Sequence, residues 1–147
     1  MVNRLDSFSI DQPPTTINYQ LKINHQLKMF NFEKLETWQE AINFADLVYA
    51  LTRNFPDQER FGLIQMRRAA VSISSNLAEG TSRSSRSDFA RFVEIATGSL
   101  FEIVSQSFIG QRQGFLTEPQ FRQLYAAAEK QGRMLSGLRA SLLEQRS

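Results

Sequence analysis

The chain reads as all-α: an antiparallel up-down-up-down four-helix bundle behind a flexible N-terminal tail. Three observations predict this. Apolar residues recur at three- and four-residue steps in four separate blocks, the period of a helix face. Pro56, Gly80 and Gly114 fall between the blocks, where helices stop. Strand patterning is poor: "AVSIS" passes for a strand alone, but its flanks "MRRAA" and "NLAEG" carry a helical period. Short turns between long helices favour antiparallel neighbours.

Residues 1–31 form the predicted tail. They hold a Pro-Pro pair, scattered Asn, Gln and Thr, and no sustained period, with a short transient element expected near Tyr19–Lys28. Met29 stands where a natural start is expected, since "MFNFEKLETWQEA" reads as the beginning of a domain. The bundle is expected over 32–147.

The first block is "FEKLETWQEAINFADLVYALTRNF", with Leu35, Trp38, Ile42, Ala45, Val48 or Tyr49, Thr52 and Phe55 on one face. The second is expected to open after an Asp57 N-cap. It presents Leu63, Met66, Ala70, Ile73 and Leu77 as its stripe and ends at Gly80. The third begins near Ser85, which has capping-box spacing to Asp88. It runs Phe89, Phe92, Val93, Ala96, Leu100, Ile103, Val104, Ser107, Phe108 and stops near Gly114. The fourth opens at Thr117, with Glu118 and Pro119 favoured in its first turn. Its stripe is Phe121, Leu124, Tyr125, Ala128, Leu135, Leu138 and Leu142. Gly132 and Gly137 weaken it by roughly 1 kcal/mol each relative to Ala, and mark close approach of a neighbour.

Composition bounds the function. At 147 residues the chain is one domain, long enough to bury roughly two-thirds of its unfolded surface. Cysteine is absent, which excludes disulfides, thiolate catalysis and thiolate metal sites. No uninterrupted apolar run approaches the roughly 20 residues of a membrane span, and no signal peptide is evident, so the cytoplasm is expected. Net charge is +2, with an acidic first block and a basic last one.

The stretch "RRAAVSISSNLAEGTSRSSRSDF" is the unusual part. On a helical wheel Ala69, Ser72, Ile73, Asn76, Glu79 and Gly80 share a face of the second block. Ile95, Ser99, Glu102 and Gln106 share one on the third, with Gly98 beside Ser99. Small residues let these helices approach. Asn76, Glu79, Ser99 and Glu102 are then expected as a polar network that fixes register, with an arginine partnering the buried Glu. The other reading of this face is a pocket lining or a subunit seam. Arg67, Arg68, Arg83, Arg86 and Arg91 are the candidate nucleic-acid contacts. Arginine, serine and free N–H groups at a helix N-terminus all suit phosphate. The bland reading of the Ser/Arg hinge is a solvated turn.

Catalysis is not expected. The sole histidine, His25, lies in the tail, and no His/Asp/Glu cluster has metal spacing. No serine has a base at a recognisable spacing, and Glu79 with Glu102 is the only carboxylate pair worth weighing for acid–base work. No cofactor, metal or small-molecule substrate is expected.

Three segments, "FEKLETWQEAINFADLVYALTRNFP", "ERFGLIQMRRAAVSISSNLAEGTSR" and "DFARFVEIATGSLFEI", resemble the four-helix-bundle family encoded by intervening sequences in bacterial 23S rRNA genes. That family is similar in turn to the accessory variability determinant of diversity-generating retroelements. The resemblance spans roughly Phe32 to Leu143. Ser74 departs from it, standing where the family often has a kinking proline. The resemblance implies a homo-oligomeric ring, commonly a pentamer. For the retroelement branch it implies binding to RNA or DNA and to a reverse transcriptase; for the other branch, association with ribosomal RNA from gene location. A mobile-element protein with no defined role is the remaining alternative. The motif residues it carries over are Arg67, Arg68, Asn76, Glu79, Gly80, Arg83, Phe89, Ala96, Ser99 and Glu102, and none is catalytic.

Overall fold

The structure is a computed structural model that describes residues 29–144. The expected tail falls almost entirely on residues outside this range. A short 3-10 turn, Asn31–Lys34, leads into α1 (Glu36–Thr52). Then come 3-10 turns at Asp57–Phe61 and Leu63–Gln65, α2 (Met66–Thr81), α3 (Arg86–Arg112) and α4 (Glu118–Leu143). No strand occurs among the described residues.

Each helix packs on its sequence neighbours, and α4 returns to α1, closing a square. Directions alternate. Arg67 at the start of α2 reaches Thr52 at the end of α1, and Ser72 of α2 meets Ser99 of α3. Phe108 late in α3 meets Phe121 early in α4, while Arg139 late in α4 meets Glu94 early in α3. The expected up-down-up-down bundle is what the chain forms.

The termini are set by local chemistry. Ser85 caps α3, its hydroxyl accepting from the Asp88 N–H at 3.0 Å. Thr117 and Gln120 form a reciprocal capping box on α4 (3.3 and 2.9 Å). Gly114 closes α3 with φ of 77°, a conformation other residues rarely take, while Phe115 and Leu116 donate back to the Gly110 carbonyl.

One boundary expectation is corrected, and at another the glycine serves a different purpose. Asp57 does not cap α2, which begins at Met66; the Glu59 carboxylate instead takes the Leu63 N–H at 3.1 Å and holds the chain in 3-10 turns. α2 ends at Thr81, one residue past Gly80, but Gly80 does not take the left-handed conformation expected of a terminating glycine. It lies buried inside the helix, where a Cβ would meet Phe89 at 2.4 Å, so it is glycine for closeness rather than for a turn.

The core follows the predicted stripes on α2 and α3: Met66, Ile73, Leu77, Val93, Leu100 and Ile103 are essentially inaccessible to water. Each such side chain contributes about 1.5–3 kcal/mol of burial energy. On α1 the deepest row is Thr37, Ala41, Phe44, Val48 and Thr52, and Phe55 just beyond the helix is buried with it. Of the predicted row, Val48, Thr52 and Phe55 are buried as expected, whereas Leu35, Trp38, Ile42 and Ala45 are only half-buried. Apolar residues occupy two rows of α1, and the one bearing small Ala41 lets the helix lie closest to the axis. Phe108 and Tyr125, assigned to stripes, are exposed instead. Gly137 has open space around it and Gly132 only ordinary contact with Leu100, so neither marks a close approach. Gln131 was on no stripe yet is fully buried, its Nε2 donating to the Thr37 carbonyl at 3.2 Å.

α3 is long and apolar enough by composition to cross a membrane. In the bundle Val93, Ala96, Leu100 and Ile103 are buried against its neighbours, while Ile95, Phe101, Phe108 and Ile109 stay exposed.

Candidate functional site

The α2–α3 seam is close because small residues face each other. Ser99 and Ser72 hydroxyls lie 3.0 Å apart, and Asn76 Nδ2 donates to the Ser72 carbonyl at 2.8 Å and to its hydroxyl at 3.0 Å. Asn76 and Ser99 are thus joined through Ser72. Glu79 and Glu102 are not in this network. Glu79 is exposed and paired with Arg83 (3.1 Å). Glu102 is also exposed and accepts from Gln106 at 3.3 Å. This face runs along the margin of the seam, where even Ser72, Asn76 and Ser99 are half-buried, so a longer carboxylate turns to water rather than bear desolvation. The two carboxylates also sit at different levels. Glu79 lies about two turns beyond Ser72 toward the hinge, Glu102 about one turn beyond Ser99 the other way.

The hinge gathers three of the candidate arginines. Arg83 lies 4.6 Å over the Phe92 ring, bonds Glu79 and stands 3.9 Å from Asp88. Arg91 meets Asp88 at 3.1 Å and approaches the same ring at 5.9 Å. Arg86 turns to α4, donating to the carbonyls of Ser141 and Leu142, the unfilled acceptors of that helix's C-terminus. Arg83 and Arg91 remain open to solvent, as do Ser82, Ser84 and Ser87.

The other two arginines lie at the far end of α2. Arg67 donates to the Thr52 hydroxyl at 2.8 Å and stacks 4.9 Å from Tyr49, tying α2 to α1. Arg68 is exposed, has no ion-pair partner among the described residues, and lines a groove.

That groove, about 850 Å³, is a feature sequence reasoning missed. Leu63, Ala69 and Phe115 supply apolar lining; Glu59, Arg68, Glu102 and Gln106 supply the polar part. The Gln106 Oε1 is buried and has no hydrogen-bond partner among the described residues. On the other flank of α3 lies a mostly apolar groove of about 540 Å³ between α3 and α4. Phe101 (69% exposed), Phe108 and Tyr125 border it, and Phe121 packs 4.9 Å from Phe108. The legible signal was Phe101, a large aromatic off every predicted stripe.

Among the described residues no group of three His, Cys, Asp or Glu is placed to hold a metal ion. Burial raises the Asp46 carboxyl above its ordinary value, and its Oδ2 has no partner among the described residues, but Asp46 lies on α1 and lines neither groove.

A closed square of four antiparallel helices, with its unusual residues on seams and surfaces, defines a small helical-bundle protein. Within that class, the family model described as 23S rRNA-intervening sequence protein matches residues 33–137, and the chain belongs to that family. A solved structure shares the fold: a protein of unknown function from the S23 ribosomal protein family of Bacteroides thetaiotaomicron VPI-5482. It is 21% identical, with a TM-score of 0.61 over 74% of this chain and 99% of that one. No curated protein matches the sequence.

Proposed function

We propose that this chain is a non-catalytic, self-assembling, nucleic-acid-associated adaptor that works in the cytoplasm as a homo-oligomeric ring, five copies being the expected number. The observation that carries the reading is the hinge of a 23S rRNA-intervening sequence family member. Arg83 and Arg91 flank one aromatic ring at the N-terminal end of α3, with guanidinium groups open to water. Arginine beside exposed serines and a helix N-terminus is suited to phosphate. Arg86 adds positive charge beside them, held by α4. Arg68 stands apart in its groove, and Arg67 is engaged within the fold.

Glu79 and Asp88 lie among these arginines, so the local excess of positive charge is small. One copy offers few phosphate contacts; a ring repeats the hinge around an axis and multiplies them. The test is binding of the full chain to a labelled structured RNA across a salt series. Log affinity is expected to fall linearly with log salt, by about 0.7–0.9 for each phosphate neutralised. Arg83→Glu with Arg91→Glu, both exposed, is expected to weaken binding at least tenfold and flatten the slope, with helicity unchanged. Equal affinity in the double variant, or no binding at low salt, overturns the RNA reading.

A further inference from the structure

α1 is covered on more sides than the bundle accounts for. Its core row, Thr37, Ala41, Phe44, Val48 and Thr52, faces the bundle axis. α2 lies along one flank, where Arg67 stacks on Tyr49, and α4 along the other, where Lys130 meets Glu40 at 3.2 Å. At about 100° per residue, Asn43 and Asp46 fall about 140° and 160° from the centre of the core row, beyond both flanks. On a bundle helix that side belongs to water. Here it does not. Asn43 is only 8% exposed, and Asp46 is half-buried. No residue from Thr37 to Val48 is exposed, whereas α2, α3 and α4 each expose a residue in every turn.

Two polar atoms mark this outer face. The Asn43 Oδ1 and the Asp46 Oδ2, about one turn apart, are buried and have no hydrogen-bond partner among the described residues. Native proteins rarely leave such acceptors unpaired. Ile42, Leu47 and Ala50 are half-buried beside them. The 3-10 turn before α1 begins the cover: Phe32 packs 4.8 Å from Trp38, and Gln39 donates to the Glu33 carbonyl at 2.8 Å. Asn43 lies one turn past Gln39, so the cover continues where that turn does not reach.

The chain that leads into that turn has the reach and the chemistry. Extended chain spans about 3.3 Å per residue, so residues 17–28 can span about 40 Å, more than the roughly 26 Å of the 17-residue α1. They carry Ile17, Tyr19, Leu21, Ile23 and Leu27, and Lys22, His25 and Lys28 with no acidic residue. α1 carries Glu36, Glu40 and Asp46 with no basic residue, so the charges complement. We infer that residues 17–28 dock along the outer face of α1, apolar side chains against Ile42, Leu47 and Ala50, and N–H groups donating to Asn43 and Asp46. The contact is made within one chain, so it stands apart from the ring and the RNA binding proposed above.

The chain has no cysteine, so one introduced thiol reports cover at a chosen position. Full-length Asn43→Cys is reacted with a maleimide, with Ser75→Cys, at an exposed position on α2, as the reference. The thiol at position 43 is expected to react at least tenfold more slowly than the one at position 75. Leu21→Asp with Ile23→Asp is then added to the Asn43→Cys chain. Both positions precede the bundle in sequence, so helicity by circular dichroism is expected to hold while the rate at position 43 rises at least tenfold. Equal rates at positions 43 and 75 overturn the cover itself. A slow rate that the two aspartates leave unchanged overturns the assignment to residues 17–28. A slow rate that rises on dilution of the protein overturns it too, and assigns the cover to a second copy of the chain.

Discussion

Gly80 offers a direct test of how α2 and α3 meet. A Cβ built there lies 2.4 Å from Phe89 Cδ2, 2.8 Å from Cε2 and 3.1 Å from Phe92 Cβ, whereas ordinary contact begins near 3.4 Å. Gly80→Ala therefore forces the Phe89 ring back by about 1 Å or spreads the helices, an overpacking that costs about 1–3 kcal/mol. Against this, alanine gains at most about 1 kcal/mol of intrinsic helicity, Gly80 being the penultimate residue of α2. The net expectation is a loss of about 1 kcal/mol. Gly137, exposed on α4 with nothing within 4 Å of its added Cβ, is the internal control. Gly137→Ala is expected to gain the helicity term, about 1 kcal/mol, with no steric charge against it. The measurement is urea denaturation followed by helicity, all proteins at one concentration so that any self-association contributes equally. Midpoints that separate by about 2 kcal/mol, with wild type between them, support the reasoning. A Gly80→Ala protein stabilised as much as Gly137→Ala would refute it, showing that the glycine serves neither closeness nor packing.

Two further perturbations probe buried polarity. Gln131 is wholly buried with one hydrogen bond, to a helical carbonyl, and its Oε1 unpartnered. Gln131→Met keeps the volume and removes both polar atoms, so the thermal midpoint is expected to hold or rise, by up to about 1 kcal/mol of stability, and a loss of 2 kcal/mol or more would contradict this. Asp46 is the second case. Burial raises its folded carboxyl above the unfolded value, so the ionised form opposes folding. That opposition is fully present above the folded pKa and is relieved as pH falls through it. Asp46→Asn is therefore expected to exceed wild type in stability at neutral pH, with the advantage shrinking on acidification through the carboxylate range. An advantage that grows on acidification would reverse the assignment.

The bundle was legible because its signals are local. Periodicity in α2 and α3, the Ser85 cap, the Thr117 box and the left-handed Gly114 each depend on residues within a few positions of one another. The first half of the α1 row was not, since Trp38, Ile42 and Ala45 make as good a stripe as Thr37, Ala41 and Phe44. Only the placement of α2 and α4 selects between them. The candidate site divides in the same way. The Ser72–Asn76–Ser99 cluster follows from small polar residues on facing wheels. The surface positions of Glu79 and Glu102 do not, because a wheel gives an angle and says nothing of how far a seam extends.

By itself, then, the sequence determined four amphipathic helices, their alternating directions, the turn chemistry and the family. The tertiary structure alone decided that Gly80 serves packing rather than termination, that Arg86 caps α4 and Arg67 clamps α1, and that two unlike grooves flank α3. The reason is physical. Helix period and capping are set within one or two turns of chain. Which side of a helix is covered, and which arginine finds an acceptor, depends on partners that Arg86 meets more than fifty residues away.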